Sequence, residues 1–155
     1  MFAPMKSTYQ IRAGKHEDLR HAHALVYELA VYEREPEAVT ATLEDYERDF
    51  AEKVFDFVVA EAADGRIVGI ALYYMAYSTW KGKMLYLEDF VVAESFRGDG
   101  IGQALFEAVL GVAKSAGARL LKWQVLDWNE PALAFYAKNK ALIEKDWWNG
   151  KVFIE

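Results

Sequence analysis

Three glycines at alternate positions, Gly98, Gly100 and Gly102, follow Arg97 and flank Asp99 and Ile101. Such a segment, set between a strand and a helix, leaves backbone N–H groups free to face an anion at the positive helix end. It also serves as a turn that only reverses the chain. A dinucleotide fingerprint needs its third glycine at 103, where Gln103 stands, and the Gly-Lys-Ser/Thr ending of a Walker loop is absent. Slightly earlier, Glu88 and Asp89 are adjacent. Carboxylates hold cations or accept their protons, but neighbours on a regular strand point to opposite faces. At most one of the pair then serves a cleft, unless a bulge intervenes.

Composition narrows the chemistry. There is no cysteine, which excludes disulfides, thiolate metal sites and cysteine nucleophiles. His16, His21 and His23 lack the spacing that puts ligands on one helical face, so no metal is expected. With 155 residues and 54 % apolar content, the chain has material for one core, and a single domain over 1–155 is expected. A net charge of −6 argues against a nucleic-acid partner and suits a cationic ligand, although it also serves plain solubility. Residues 1–6 show no basic region followed by an apolar segment, and no run approaches the ~18 apolar residues of a membrane span. A cytoplasmic location without a membrane partner is expected.

The elements that would position these groups follow from periodicity. Residues 9–12 read as a short strand, and Leu19, Ala22, Val26, Leu29 and Ala30 mark an amphipathic helix over 17–33. Thr42 and Asp45 form a capping-box pattern at the head of a second helix over 43–50. Residues 57–60, 67–77 and 84–92 are rich in β-branched and aromatic types and predict an antiparallel meander. A helix over 101–116 and a strand over 120–126 then complete a right-handed βαβ unit around the glycines. Asn129 and Pro131 open a last helix to about 139, and Asn149-Gly150 predicts a type I′ hairpin between 147–148 and 152–154. The class is α/β (α+β), with a mixed central sheet.

Arg97-x-x-Gly100-x-Gly102, after Phe90-Val91-Val92 and before an amphipathic helix, resembles the acetyl-CoA pyrophosphate loop of the GNAT N-acetyltransferases. Tyr86-Leu87-Glu88-Asp89-Phe90, Trp128-Asn129-Glu130-Pro131 and Phe135-Tyr136 stand where that superfamily keeps related motifs. With Glu28-Leu29-Ala30 and Tyr32-Glu33, the pattern over 9–154 is similar to the spermidine/spermine branch. Residues 77–83 and 125–129 look closer to its thialysine (diamine) members, since Ser78 stands where the polyamine enzymes carry an acid. Lys140 departs from the family, which usually has glycine after the last helix.

The resemblance implies a GNAT fold, acetyl-CoA as co-substrate, and N-acetylation of a small primary amine by direct transfer in a ternary complex. An aliphatic ammonium with a pKa near ~10 must lose its proton before it attacks. The family pattern implies Glu88 as a water-relayed base and Asp89 as an amine ligand; the alternative is that both only flank a sheet edge. It implies that the Tyr136 phenol, early on the last helix, protonates the departing thiolate; the alternative is a core tyrosine. Residues 97–102, Asn129 and the backbone of Phe90, Val91 and Val92 would hold the coenzyme, provided a bulge splays the two parallel strands. Glu33 and Glu35 would help hold the far cationic end of a diamine, with Tyr32 as an aromatic wall and Trp80 also on the substrate side; a solvated acidic helix end is the plainer reading of the two glutamates. A homodimer is expected from the resemblance and the apolar terminal hairpin. A protein-directed acetyltransferase and a silent acyl-CoA-binding module are the competing readings.

Overall fold

The computed structural model describes residues 8–155, so the expectation about residues 1–6 lies outside the described residues. The chain forms two compact units, Met1–Trp123 and Gln124–Glu155.

The first unit is built on a five-stranded sheet in chain order: β1 (Tyr9–Ala13), β2 (Asp56–Ala62), β3 (Ile67–Ser78), β4 (Gly82–Val92) and β5 (Leu120–Lys122). The first four strands are antiparallel neighbours and β5 joins β4 in parallel, as a meander followed by a βαβ crossover requires. Helices α1 (Leu19–Tyr32) and α2 (Leu43–Ala51) supply Leu19, Ala22, Leu25, Tyr46 and Phe50 to one core, against Phe57, Val59, Ile70, Leu72 and Val91 of the sheet. The opposite face receives α3 (Ile101–Ser115), whose Ile101, Leu105, Phe106 and Val109 are buried. That helix sits so close that a Cβ on Gly69 would lie 2.9 Å from the Leu105 side chain. No helix among the described residues is long and apolar enough to cross a membrane.

Local chemistry explains the element ends. Thr42 Oγ1 accepts from the Asp45 N–H at 3.1 Å while Asp45 accepts from the Thr42 N–H at 2.8 Å, completing the expected capping box. The second unit contains α4 (Glu130–Lys138), where Asn129 Oδ1 accepts from the Ala132 N–H at 3.3 Å and Pro131 sits in the first turn. Lys140 takes the left-handed conformation at φ 61° that a glycine adopts without cost. The Ala141 N–H bonds the Tyr136 carbonyl and the Lys140 N–H bonds Ala137, so the helix ends in a Schellman motif despite the missing glycine.

Two expectations need correction. The fifth strand stops at Lys122 rather than 126, and the terminal hairpin is absent: no strand follows α4 among the described residues. Gly150 is not among the positive-φ glycines a type I′ turn requires. A two-stranded ribbon is marginal until one face is covered, and the apolar residues that would build that face, Trp148, Phe153 and Ile154, are 95 %, 86 % and 92 % exposed.

One ion cluster ties the start of α1 to the sheet. Arg12 donates to Asp18 through Nη1 at 2.7 Å and Nη2 at 3.0 Å, and to Glu61 through Nε at 2.6 Å. Burial alone would raise the Asp18 carboxyl, but the bonds from Arg12 and from the Lys15 N–H hold it below the usual carboxylate range. Replacing Arg12 with Met leaves a buried carboxylate without its cation. Arg12→Met is expected to lower unfolding stability in urea by about 2–3 kcal/mol at pH 7. A loss below about half a kcal/mol would mean that solvent already satisfies Asp18.

Candidate active site

The register of β3 against β4 contains one irregularity, and it falls on the carboxylate pair. Leu72 pairs with Asp89 and Tyr73 with Leu87, so Glu88 is an extra residue with no partner across the ladder. Leu72 and Tyr74 share one face of β3, and their partners Asp89 and Tyr86 share that face of β4. Between them, Glu88 accepts a hydrogen bond from Tyr74 Oη at 3.3 Å. The bulge therefore puts two consecutive carboxylates on one side of the sheet, the side packed by α1 and α2.

The face is crowded with negative charge. Burial first, then the charges of Glu88 and Glu33, push the Asp89 carboxyl up to about 7. Glu33 is the C-terminal cap residue of α1, and burial raises its carboxyl as well. Helix C-termini present carbonyl oxygens, so this corner adds partial negative charge and favours a cation. Three phenols border the pair. Tyr46 of α2 is raised to about 12 by burial and then by Asp89 and Glu88; Tyr74 reaches about 12 by burial and then Glu88; Tyr86 is raised by the same two causes. Tyr46 is braced by His23 at 4.9 Å and Phe55 at 5.9 Å between ring centroids. The surround offers acceptor oxygens and aromatic walls to a cationic guest without bringing a fixed positive charge among the described contacts.

The glycine segment lies at the end of the same strand. The parallel ladder between β4 and β5 runs only from Met84 to Tyr86, so residues 87–92 extend beyond it, as a splayed pair requires. Phe90 packs on Phe106 at 6.1 Å, Val91 is buried in the core, and Arg97 Nε donates to the Val92 carbonyl at 3.0 Å, fastening the loop to the strand end. The Arg97 guanidinium also lies 5.9 Å from the centre of the Tyr32 ring. Gly98 and Gly100 have φ of 89° and 83°, values that a branched side chain resists. Ile101 is buried and anchors the helix, while Gly102 packs beside Phe90 and Val92. No side chain caps the start of α3 and no acid stands in its first turn. Its positive end is thus open to a pyrophosphate, and the residues present fit that group.

Trp80 is at the tip of the β3–β4 turn, 82 % exposed and beyond the Ser78–Gly82 pair. Ser78 Oγ accepts from the N–H groups of Trp80 at 3.3 Å and Lys81 at 3.1 Å, which makes it a turn former. Glu35 is exposed beyond α1. In the second unit, Tyr136 is buried in the last turn of α4, not early on it, because the helix spans only Glu130–Lys138. Tyr46 and Tyr74 were missed as site residues. Their approach to the carboxylates depends on strand register and on the α2 docking angle, neither of which periodicity reveals.

Asp89 is neutralised more readily in the folded chain than in the unfolded one, where its pKa is ~3.9. The folded state is therefore favoured most below that value, and the advantage is lost as pH rises through about 7. Asp89→Asn is expected to raise the melting temperature at pH 8 by several degrees, about 2 kcal/mol, with the gain shrinking towards zero near pH 4.5. Differential scanning calorimetry across that range checks it.

The geometry agrees with what the sequence is similar to. The acetyltransferase (GNAT) family model matches residues 16–140. A thialysine N-epsilon-acetyltransferase of Bos taurus is 40 % identical over 145 residues, covering 88 % of this chain and 84 % of that protein. A spermidine/spermine N(1)-acetyltransferase-like protein of Homo sapiens is 33 % identical over 86 % of this chain and 20 % of its own length. Among solved structures, an aminoglycoside acetyltransferase from an uncultured soil metagenomic sample superposes with a TM-score of 0.78, covering 95 % of this chain and 97 % of that one. At 19 % identity that likeness speaks for the fold alone. The chain belongs to the GNAT family of N-acetyltransferases.

Proposed function

We propose that this enzyme transfers the acetyl group of acetyl-CoA to a primary amine on a small molecule that carries a second cationic or zwitterionic end, with thialysine-like compounds or short diamines preferred over spermine. The observation that carries the reading is the bulge at Glu88, which sets Glu88 and Asp89 on one face near the charge of Glu33. The names of the relatives, thialysine N-epsilon-acetyltransferases among them, support the same class of amine.

Acetyl-CoA supplies an activated acetyl thioester when bound. The backbone at Gly98, Gly100 and the start of α3 would hold its pyrophosphate, and the strand end at Phe90, Val91 and Val92, outside the β5 ladder, would hold the pantetheine arm. Asp99 and Asn129 belong to the coenzyme side on the family pattern. At the amine, the carboxylate pair attracts the ammonium, and Glu88 takes up its proton directly or through water. Asp89, poised near neutrality, binds the amine in its ionised form. The family pattern assigns Tyr136 as the acid for the departing thiolate. The family match runs across both compact units, which supports one catalytic domain over 1–155. We also propose a homodimer, which would cover the exposed Trp147, Trp148, Phe153 and Ile154.

The substrate reading is tested by kcat/KM for thialysine, lysine, short diamines, spermidine, spermine and a lysine peptide, in wild type and in Ser78→Asp. Aspartate can accept the same two turn N–H groups, so the substitution adds charge without removing the turn. Wild type is expected to disfavour spermine roughly ten- to a hundredfold, and Ser78→Asp to narrow that gap. A wild-type preference for spermine or for the peptide would overturn the reading.

A further inference from the structure

The bulge that makes Glu88 available also takes it out of the ladder. Every other residue of β4 has a partner in the ladder with β3, whereas Glu88 has none, and its side chain is exposed. A flexible carboxylate at an unpaired position is a poor proton acceptor, because general-base catalysis demands a defined distance and direction. Something must hold it.

The contact that does so is Tyr74 Oη, which donates to Glu88 Oε2 at 3.3 Å. Tyr74 is itself held: its ring stacks on Tyr86, its partner across the ladder, with centroids 5.3 Å apart and planes 28° from parallel. The order thus passes from the regular ladder to Tyr86, from Tyr86 to Tyr74, and from Tyr74 across the bulge to Glu88. We propose that Tyr74 is a positioning residue for Glu88, fixing the bulged carboxylate in the orientation from which it receives the substrate's proton. This rests on Glu88 acting as the base.

The phenol suits the task. Burial and the charge of Glu88 push it up to about 12, so it keeps its proton and stays a hydrogen-bond donor across the working pH range. The remaining groups that face Glu88 are Asp89 and Tyr86 on β4 and Tyr46 on α2, with Glu33 acting through Asp89. Glu88 and Glu33 oppose ionisation of Asp89.

The test is a set of pH–rate profiles for the full chain with the amine of highest turnover: wild type, Tyr74→Phe, Glu88→Gln and the double variant. Phenylalanine keeps the ring against Tyr86 and removes only the donor. Tyr74→Phe is expected to lower kcat roughly tenfold and to leave the KM for acetyl-CoA within about twofold. In the Glu88→Gln background the second substitution is expected to change neither rate nor profile, because there is no base left to orient. A Tyr74→Phe variant with the wild-type profile, alongside an inactive Glu88→Gln, overturns the positioning role and leaves the base assignment intact. A parallel loss in both backgrounds overturns it too, since packing alone would then explain Tyr74. A fully active Glu88→Gln removes the base assignment and the positioning role with it.

Discussion

A strand turns successive side chains to opposite faces, and that rule would separate Glu88 from Asp89 by the thickness of the sheet. The single extra residue in β4 removes the separation. The cost is one lost place in the ladder and a locally stronger twist. The gain is a corner where two carboxylates and the end of α1 can address one ligand. The β5 ladder also ends at Tyr86, just before the bulge, so β4 leaves its parallel neighbour at the point where its register against β3 breaks.

The second consequence is electrostatic. Concentrating Glu33, Glu88 and Asp89 opposes folding at neutral pH, and Asp89 pushed up to about 7 is the physical mark of that tension. A bound ammonium relieves it. The site is therefore most complementary to a cation when it is least comfortable without one, and the difference between those two states becomes binding energy. The surrounding phenols of Tyr46, Tyr74 and Tyr86 lend acceptor oxygens and ring faces without the positive charge that would repel the guest.

Much of this was legible in the residues themselves. Capping chemistry is local, so Thr42 with Asp45 and Asn129 with Pro131 marked two helix starts correctly. The glycine spacing pointed to a helix end open to an anion, and the left-handed Gly98 and Gly100 bear out the need for glycine there. What stayed hidden depends on pairing at a distance. Nothing in Leu87-Glu88-Asp89 distinguishes a bulge from a regular strand; only the register against β3 does. The Asn149-Gly150 signal was strong locally and still formed no hairpin, since a turn without a covered face lacks the burial to hold two strands. Lys140 took the left-handed conformation of an absent glycine because the helix-closing bonds to Tyr136 and Ala137 hold it there.

The shared face of the two carboxylates is tested most directly by following their carboxyl carbons through a pH titration with NMR, in wild type and in Glu88→Gln. On one face, the two groups feel each other: a carboxyl assigned to Asp89 should titrate near 7 in wild type and move clearly downward once the Glu88 charge is removed. If Asp89 titrates in the ordinary carboxylate range and is indifferent to Glu88→Gln, the two side chains are on opposite faces and the bulge does not build the site.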